Sequence, residues 1–542
     1  MSTIVTLIPV SKIPTLSTTT IRDWTTEDWA ALSTDQLVAL TTAQAAVIAS
    51  DGFAALSTAQ LRAFQTEDLR SVSTQAIRAL NSDQLGNLKT DQLAALSTGQ
   101  VSVLTTDELK GLTTSGLVAL SSAQVGAMKS DQVVSLNSDQ LRAIETADLK
   151  ALSTAALRAL DTDQLNALKS TQLQSLTSGQ VSALSTDQVQ SLTTANLNAL
   201  TSDQLGRFSS GQVKALTTEQ INNLSTSNLN ALGTGQFAAL NSDQVGALTT
   251  AQVGKLETAD LRSITTGALA GLNSDHIKAL SSDEIGALST GQVQVLNSDQ
   301  LDGLTTANVV ALGTAQVAAL KSDQVVSLNS DQLRAIETGD IKALSTTALR
   351  ALDTDQLNSL KSTQLQSLTS SQVTALSTDQ VQSLTTANLN AMTSDQLGRF
   401  SSGQVKALTT EQLNNLTTSS LNALGTAQFA ALSSDQVAAL TTAQVSKLET
   451  ADLRSITTGA MAGLNSDQVK ALSTDEVGAL TTAQVVALNS DQLDGLSTAQ
   501  VVALSSAQVA ALKSDQVLSL NSDQLRAIET GDIKALSTTA LR

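Results

Sequence analysis

The chain is an array of an eight-residue repeat that runs without insertion or deletion from residue 17 to residue 536, which makes 65 complete octads. The octad at residues 33–40, STDQLVAL, is typical. Position 2 is Ser or Thr in every octad, position 8 is always a large apolar residue, and position 5 is large and apolar except at Ala45. Position 4 is usually Gln and position 7 is usually small. Such regularity predicts a repeat fold in which each unit buries its apolar residues against its neighbours.

A longer period of 192 residues, or 24 octads, is superimposed on the octad. The sequence KSDQVVSLNSDQLRAIET begins at Lys129, recurs at Lys321 and is nearly copied at Lys513. This spacing indicates tandem duplication of a whole cassette. The chain therefore divides into an N-terminal segment, residues 1–16, and a continuous octad array, residues 17–542, with cassettes that begin at 129, 321 and 513.

The octad favours short helices over one long helix or a strand. Eight residues of α-helix turn by about 800°, roughly 80° more than two full turns, so an apolar stripe would spiral around one long helix. Positions 5 and 8 are i and i+3, which lie on one face of a short helix. The sequence predicts an all-α solenoid or superhelix of helices shorter than two turns, one per octad. A β-solenoid with Thr ladders is the main alternative, and a disordered low-complexity chain is a second.

The polar positions predict how each helix begins. Ser or Thr at position 2 is a natural N-cap. Where position 1 is also Ser or Thr, as at Ser33 with Gln36, a capping box that begins one residue earlier is an alternative. The number of octads in one coil stays open, because odd and even octads carry the same residue types.

The N-terminal segment differs from the octads in composition. It holds both prolines of the chain, Pro9 and Pro14, within an apolar stretch, and Trp24 and Trp29 follow in the first two octads. We expect this segment either to cap the first coil or to dock onto the open end of another subunit, because the array ends in mid-octad at Arg542. It lacks the basic start and unbroken apolar core of a secretory signal, so an export signal is expected elsewhere, beyond the C-terminus shown.

Charge and composition exclude several classes of protein. The formal net charge of -18 disfavours binding to nucleic acid and to anionic membrane surfaces. No stretch approaches the roughly 18 consecutive apolar residues of a membrane-spanning helix. The chain has no cysteine, which removes disulfides and thiolate metal sites. We expect no nucleic-acid partner and no membrane insertion.

No catalytic, cofactor-binding or metal-binding residue is predicted. The single histidine, His276, occupies position 4 and is interpreted as a substituted capping residue, since its counterpart one cassette later is Gln468. Asp131 and Asp139 at position 3 are interpreted as first-turn helix residues rather than calcium ligands. No phosphate loop, dinucleotide fingerprint or nucleophile elbow occurs. Glycosylation sequons at Asn223 and Asn415 are weak signals, because the octad frame produces them by chance. We expect the protein not to be an enzyme.

With its preceding Leu, the octad reads L-[ST]-[ST]-x-Q-[LVI]-x-A-L. It resembles the octapeptide repeats of long exoproteins and surface proteins of Gram-negative bacteria, and the resemblance covers residues 17–542. The resemblance implies a secreted or cell-surface fibre. The leading hypothesis is a structural element of an extracellular filament, sheath or adhesin stalk that self-associates into fibres or head-to-tail filaments. The alternatives are a solenoid that binds a repetitive ligand, such as ice, polysaccharide or an envelope polymer, and a spacer or ruler protein.

Overall fold

The computed structural model describes residues 4–536, and the chain divides into two compact units, residues 1–271 and 272–542. Residues 1–3 of the N-terminal segment lie outside the described residues. So do residues 537–542, which include the mid-octad end at Arg542.

Each octad in both units forms one α-helix of four to six residues, which begins at position 2 and ends at position 5, 6 or 7. The first unit opens with 3-10 helices Ile4–Leu7 and Val10–Thr15, and its α-helices run from Thr18–Arg22 to Thr266–Leu269. The α-helices of the second unit run from Ser274–Ala279 to Thr530–Ile533. Residues 4–536 contain no strand. The predicted all-α solenoid is confirmed, and the β-solenoid alternative is wrong.

Three octads make one coil in each unit. In the first unit the helix Ser130–Val134 packs against Thr154–Ala159, the helix three octads later. In the second unit Ser322–Ser327 packs against Thr346–Ala351 in the same way. A coil is therefore 24 residues long, and each helix lies in a column of helices that are three octads apart.

The N-cap lies at position 1, one residue before the predicted position. Ser33 has extended backbone angles, φ −76° and ψ 158°, and its hydroxyl accepts the Gln36 N–H at 3.3 Å. The Gln36 side chain accepts the Ser33 N–H at 2.9 Å, which completes a capping box. Position 2 already has helical backbone, so it cannot cap, and the capping-box alternative is the correct one. The extended residues at positions 8 and 1, such as Leu32 and Ser33, form the corner between helices.

Positions 5 and 8 form the core, as predicted. Leu141 at position 5 is fully buried and Ile144 at position 8 is nearly so. Position 4 is buried as well, although it is polar, and Gln140 is only 2% exposed. Because Gln at position 4 recurs around each coil, a row of buried amides lines the corners beside the apolar core.

The aromatic pair near the N-terminus is split between core and surface. Trp29 is buried, whereas Trp24 is half-buried and meets Trp29 edge-to-face at a centroid distance of 5.0 Å. Trp29 reaches the position-4 residue of the octad above it, where a Cβ on Gly52 would lie 2.4 Å from Trp29 Cδ1. The large ring therefore explains why this octad has Gly in place of Gln at position 4.

The N-terminal segment continues the coil. Val5 and Ile13 are buried as position-5 residues are, and the Gln36 side chain donates to the carbonyls of Val5 and Ile8 at 2.9 and 2.8 Å. The octad frame thus extends in register through residues 4–16, with 3-10 helices in place of α-helices. Ile4 and Leu7 remain 79% and 77% exposed.

Glycine at position 7 allows two coils to approach closely. A Cβ on Gly303 would lie 2.3 Å from the carbonyl oxygen of Ser274, which is backbone and cannot turn aside. We expect Gly303→Ala to lower the free energy of unfolding by about 1–3 kcal/mol. Gly339→Ala is the matched control, because a Cβ on Gly339 would meet none of the described residues within 4 Å and Ala is the better helix former. Denaturation of both variants tests this, and equal stability would contradict the close approach.

Candidate functional site

The glutamine at position 4 links each corner to the coil beneath it. Gln100 accepts the N–H of Ser97, its own N-cap residue, at 2.7 Å. The Gln100 side-chain amide donates to the carbonyls of Leu69 and Val72 at 2.9 and 2.7 Å, at positions 5 and 8 four octads earlier. Both carbonyls lie at the end of a helix, where the Leu69 carbonyl also accepts the Val72 N–H at 3.3 Å. One side chain therefore satisfies both the start of its own helix and the end of another.

The same corner recurs in the second unit. Gln372 accepts the Thr369 N–H at 2.8 Å and donates to the carbonyls of Ile341 and Leu344, each at 2.9 Å. Sequence reasoning missed the role of Gln toward the coil beneath.

Paired asparagines replace the glutamine in some corners. Asn166 at position 6 accepts the Thr193 N–H at 3.0 Å and donates to the Ser191 carbonyl at 2.8 Å. Asn196 at position 4 then donates to the Asn166 side-chain oxygen at 3.1 Å. Together the two shorter amides accept the position-1 N–H and donate to the carbonyls of Asn166 and Ser191, so the pair links octads as one Gln does alone. Asn358 and Asn388 repeat the arrangement in the second unit.

Acidic residues occupy position 4 in other corners, where they cannot donate while ionised. Glu108 accepts the Thr105 N–H as a glutamine would, but its second oxygen, Oε1, is buried without a hydrogen-bond partner among residues 4–536. Burial raises the pKa of Glu108, although its bonds to Thr105 and the charge of Arg78 oppose that effect.

Apart from Asp28, which accepts the N–H and the hydroxyl of its own N-cap residue Thr25, the aspartates at position 4 fall into two groups. Asp148 and Asp340 each accept a hydroxyl from the helix three octads earlier, from Ser122 and Thr314 respectively. Asp532 does the same with Ser506. The second group comprises Asp68, Asp260 and Asp452, for which no such hydroxyl bond is found in residues 4–536.

Burial, aided by a neighbouring glutamate, raises the pKa of Asp68, Asp260 and Asp452 to about 6 in each case. The neighbours are Glu67 for Asp68, Glu257 for Asp260 and Glu449 for Asp452. A carboxyl with a raised pKa in the folded state destabilises that state when it ionises, so its penalty disappears as the pH falls through the folded pKa toward the unfolded value.

His276 is a capping residue, as the sequence indicated. Its Nδ1 accepts the Asn273 N–H at 3.2 Å, and the Asn273 side chain accepts the His276 N–H at 3.0 Å. The ring is 5% exposed. Within residues 4–536, no three His, Asp or Glu side chains are grouped so that they could hold a metal ion. His276 therefore accepts the N–H of its N-cap residue, as the glutamine at position 4 does in other octads.

The aspartates and sequon asparagines singled out in the sequence lie on the outer surface. Asp131 and Asp139 are exposed in the first turns of their helices. Asn223 and Asn415 are also exposed, and the side chain of each donates to a carbonyl four residues earlier in its own helix. No helix among residues 4–536 has the length and hydropathy needed to cross a membrane.

The profile of the ALTTAQ repeat matches well over half of the chain. The matched residues are 13–42, 62–98, 101–138, a set of overlapping matches from 141 to 330, 333–386, 408–442 and 445–522. The chain belongs to the ALTTAQ repeat family. Residues 39–44 spell ALTTAQ, from position 7 of one octad to position 4 of the next. The six residues that name the repeat therefore span the corner, with the apolar residue at position 8, the N-cap at position 1 and the glutamine at position 4.

Comparison with other proteins adds little about the ALTTAQ repeat. No curated protein matches this chain. The solved structure described as "Structure of APUM23-GGAAUUGACGG" is 12% identical, with 97% of this chain and 96% of that chain covered and a TM-score of 0.14. "Structure of APUM23-GGAUUUGACGG" is also 12% identical, with coverage of 84% and 87% and a TM-score of 0.15. Likeness at these scores carries no implication for function.

Proposed function

We propose that this ALTTAQ repeat protein is a structural element of an extracellular filament, sheath or adhesin stalk, and not an enzyme. The observation that carries the proposal is the corner at position 4. Its buried polar side chains are used to join one coil to another, as Gln100 and Gln372 do. Repetition of one linking unit makes a solenoid longer and joins its coils into one continuous structure, whereas it does not build a single specialised site.

The family resemblance of the octad supports a secreted or cell-surface location. The net charge of -18 favours a protein that stays soluble and repels anionic surfaces. Self-association into fibres or head-to-tail filaments is part of the proposal. The exposed side chains of Ile4 and Leu7, on the N-terminal 3-10 helix Ile4–Leu7, form an apolar surface to which a second subunit would bind.

Removal of one cassette tests the structural role. Deletion of residues 129–320 joins Met128 to Lys321, and the 18 residues that begin at Lys321 are the same as those that began at Lys129. The deleted length is a whole number of 24-residue coils, so every column stays in register. We expect a folded protein with unchanged helicity per residue that forms a proportionally shorter object in negative-stain microscopy.

A deletion of residues 129–316 is the control, because it removes four residues fewer and breaks the octad frame. It should fold poorly at the junction. Wild-type protein that appears as compact globules of one size, with no rods or end-to-end chains, would contradict the filament proposal. A cassette deletion that abolishes folding would contradict the interchangeable coils on which the proposal depends.

Columns of hydroxyls give specific support to the second candidate function, the binding of a repetitive ligand. Thr354, Thr378, Ser402 and Thr426 all lie at position 2, are exposed, and belong to helices that pack in one column. Such a regular row could match ice, a polysaccharide or an envelope polymer. Thermal hysteresis and glycan-binding assays separate this function from the structural one. A spacer or ruler role is the third candidate, and recovery of the protein only from the cytosol would favour it.

A further inference from the structure

Four buried side-chain oxygen or nitrogen atoms lack a hydrogen-bond partner among residues 4–536, and all four are oxygens. They are Asp68 Oδ2, Glu108 Oε1, Asn230 Oδ1 and Asn422 Oδ1. Asp68 and Glu108 themselves occupy position 4. Asn230 and Asn422 lie thirty residues before position-4 aspartates, Asp260 and Asp452. Each unpartnered oxygen therefore belongs to a corner in which position 4 is acidic.

Glu108 has the shape of the glutamine that it replaces. One of its oxygens accepts the Thr105 N–H, as Gln100 Oε1 accepts that of Ser97. In the glutamine corners the other side-chain atom is the amide nitrogen, which donates to two carbonyls, 31 and 28 residues earlier. The same register directs Glu108 Oε1 toward the carbonyls of Ile77 and Leu80. An ionised carboxylate can only accept, so its oxygen cannot form a hydrogen bond with either of these two carbonyl oxygens.

Asp452 has the shape of the asparagine that it replaces. In the Asn358–Asn388 pair, the Asn388 amide donates to Asn358 Oδ1 at 3.1 Å across thirty residues. Asp452 follows Asn422 by the same thirty residues, and the oxygen that would receive this bond, Asn422 Oδ1, is the unpartnered one. Asp260 and Asn230 repeat the relation in the first unit. One proton on the aspartate would restore the missing bond.

We propose that the position-4 corners that hold an unpartnered oxygen, those of Asp68, Glu108, Asp260 and Asp452, are proton-operated latches, in which the protonated carboxyl donates to the coil beneath and takes the place of the Gln or Asn amide. No atom other than the proton needs to be added, because Glu and Gln, and Asp and Asn, have the same heavy-atom shape. In the glutamine corners the donor and acceptor atoms lie as close as 2.7 Å, as between Gln100 and Val72, which fits one shared hydrogen. A metal ion between two such atoms would hold them well apart, because each metal–oxygen contact is itself about 2.0–2.6 Å long.

The charged groups around Glu108 come from its own helix and from the helices packed against it. Glu108 shares its helix, Thr106–Lys110, with Asp107 and Lys110, and Arg78 acts on it from a neighbouring octad. Against this helix pack Ser82–Gly86, which carries Asp83, and Ser130–Val134, which carries Asp131 and follows Lys129. The burial that raises the pKa of Glu108 outweighs the Arg78 charge.

Asp452 lies in a more acidic setting. Glu449 precedes its helix, Thr450–Ser455, and Arg454 lies in the last turn. The packed helix Thr426–Phe429 has no charged residue, and Thr474–Ala479 carries Asp475 and Glu476. The pKa of about 6 for Asp452, against 3.8 for the free group, supports protonation of the latch in mildly acidic solution.

Hydrogen exchange of the full-length protein at pH 7 and pH 5, corrected for intrinsic exchange rates, tests the latches. We expect amide protection around Asp452 to rise about tenfold from pH 7 to pH 5, because the carboxyl binds its proton more tightly in the closed corner. Protection around Glu108 should rise in the same direction. In Asp452→Asn and Glu108→Gln, protection at these corners should be high at pH 7 and independent of pH.

Two matched controls separate a latch from a general effect of acid on a chain of net charge -18. Gln100→Glu should make amide protection at the Gln100 corner depend on pH, which it does not do in the wild type. The corner at Asp340, which already receives the Thr314 hydroxyl, should keep the same protection at both pH values. Wild-type protection that does not change with pH, an equal change in every corner, or isosteric variants that exchange at pH 7 as the wild type does would overturn the proposal.

Discussion

Leu141→Asp is expected to open its coil, with a loss of about 5 kcal/mol or more in local stability. Leu141 is fully buried at position 5, and loss of a buried Leu side chain alone costs about 3–5 kcal/mol. The carboxylate adds the cost of a charge among apolar neighbours. The helices that pack on Ser138–Ala143, which are Thr114–Val118 and Thr162–Ala167, should lose protection with it. Hydrogen exchange resolved by peptide measures both effects.

Arg142→Ala is the matched control, one residue along the same helix. Arg142 is exposed, so the variant should stay within about 0.5 kcal/mol of the wild type. Similar losses in the two variants would mean that the octad frame has been assigned to the wrong faces.

Gln332→Leu is expected to cost about 3 kcal/mol although it puts an apolar residue into a buried place. The glutamine accepts the Asn329 N–H at 2.9 Å and donates to the carbonyls of Leu301 and Leu304, each at 2.8 Å. Leucine fills the volume but leaves the Asn329 N–H and the Leu304 carbonyl without this partner, whereas the Leu301 carbonyl keeps the Leu304 N–H at 3.1 Å. Each unsatisfied buried group costs about 1–3 kcal/mol. Chemical denaturation together with hydrogen exchange of residues 297–336 measures the loss.

Gln294→Leu is the control for Gln332→Leu. Gln294 lies at position 6 and is exposed, so the same substitution should change stability little. If Gln332→Leu were neutral or stabilising, the position-4 amide would be a tolerated polar residue and not the link between coils.

The fold class could be predicted from the sequence because positions 5 and 8 are apolar in every octad. Apolar residues at i and i+3 define a helix face, and residues such as Leu141 and Ile144 are buried where that pattern placed them. The cap was assigned one residue late, since Ser and Thr fill both positions 1 and 2. Only the backbone angles, extended at Ser33 and helical from Thr34, decide between the two.

The number of octads in a coil could not be predicted, because the contact that sets it joins residues of similar type in every octad. Gln at position 4 was interpreted only as a local capping residue. Its second role depends on which carbonyls lie beneath it, and that depends on the coil. The acidic corners escaped notice for the same reason: Glu108 and Asp452 look like first-turn helix acids until the unpartnered oxygens at Glu108 and Asn422 show what they face.

A coil of three octads restricts how a gene for such a protein can grow or shrink. Gain or loss of a single octad would keep every apolar residue in its frame, yet it would move each later octad within that unit to the next column. An octad gained between Ser274 and Gly303 would separate these packed partners. A 192-residue cassette, eight coils long, instead supplies a copy of each partner at the same spacing, as Gly495 approaches Ser466 in the way that Gly303 approaches Ser274. Duplication by whole cassettes is thus a neutral way to lengthen the protein, whereas slippage by one repeat is not.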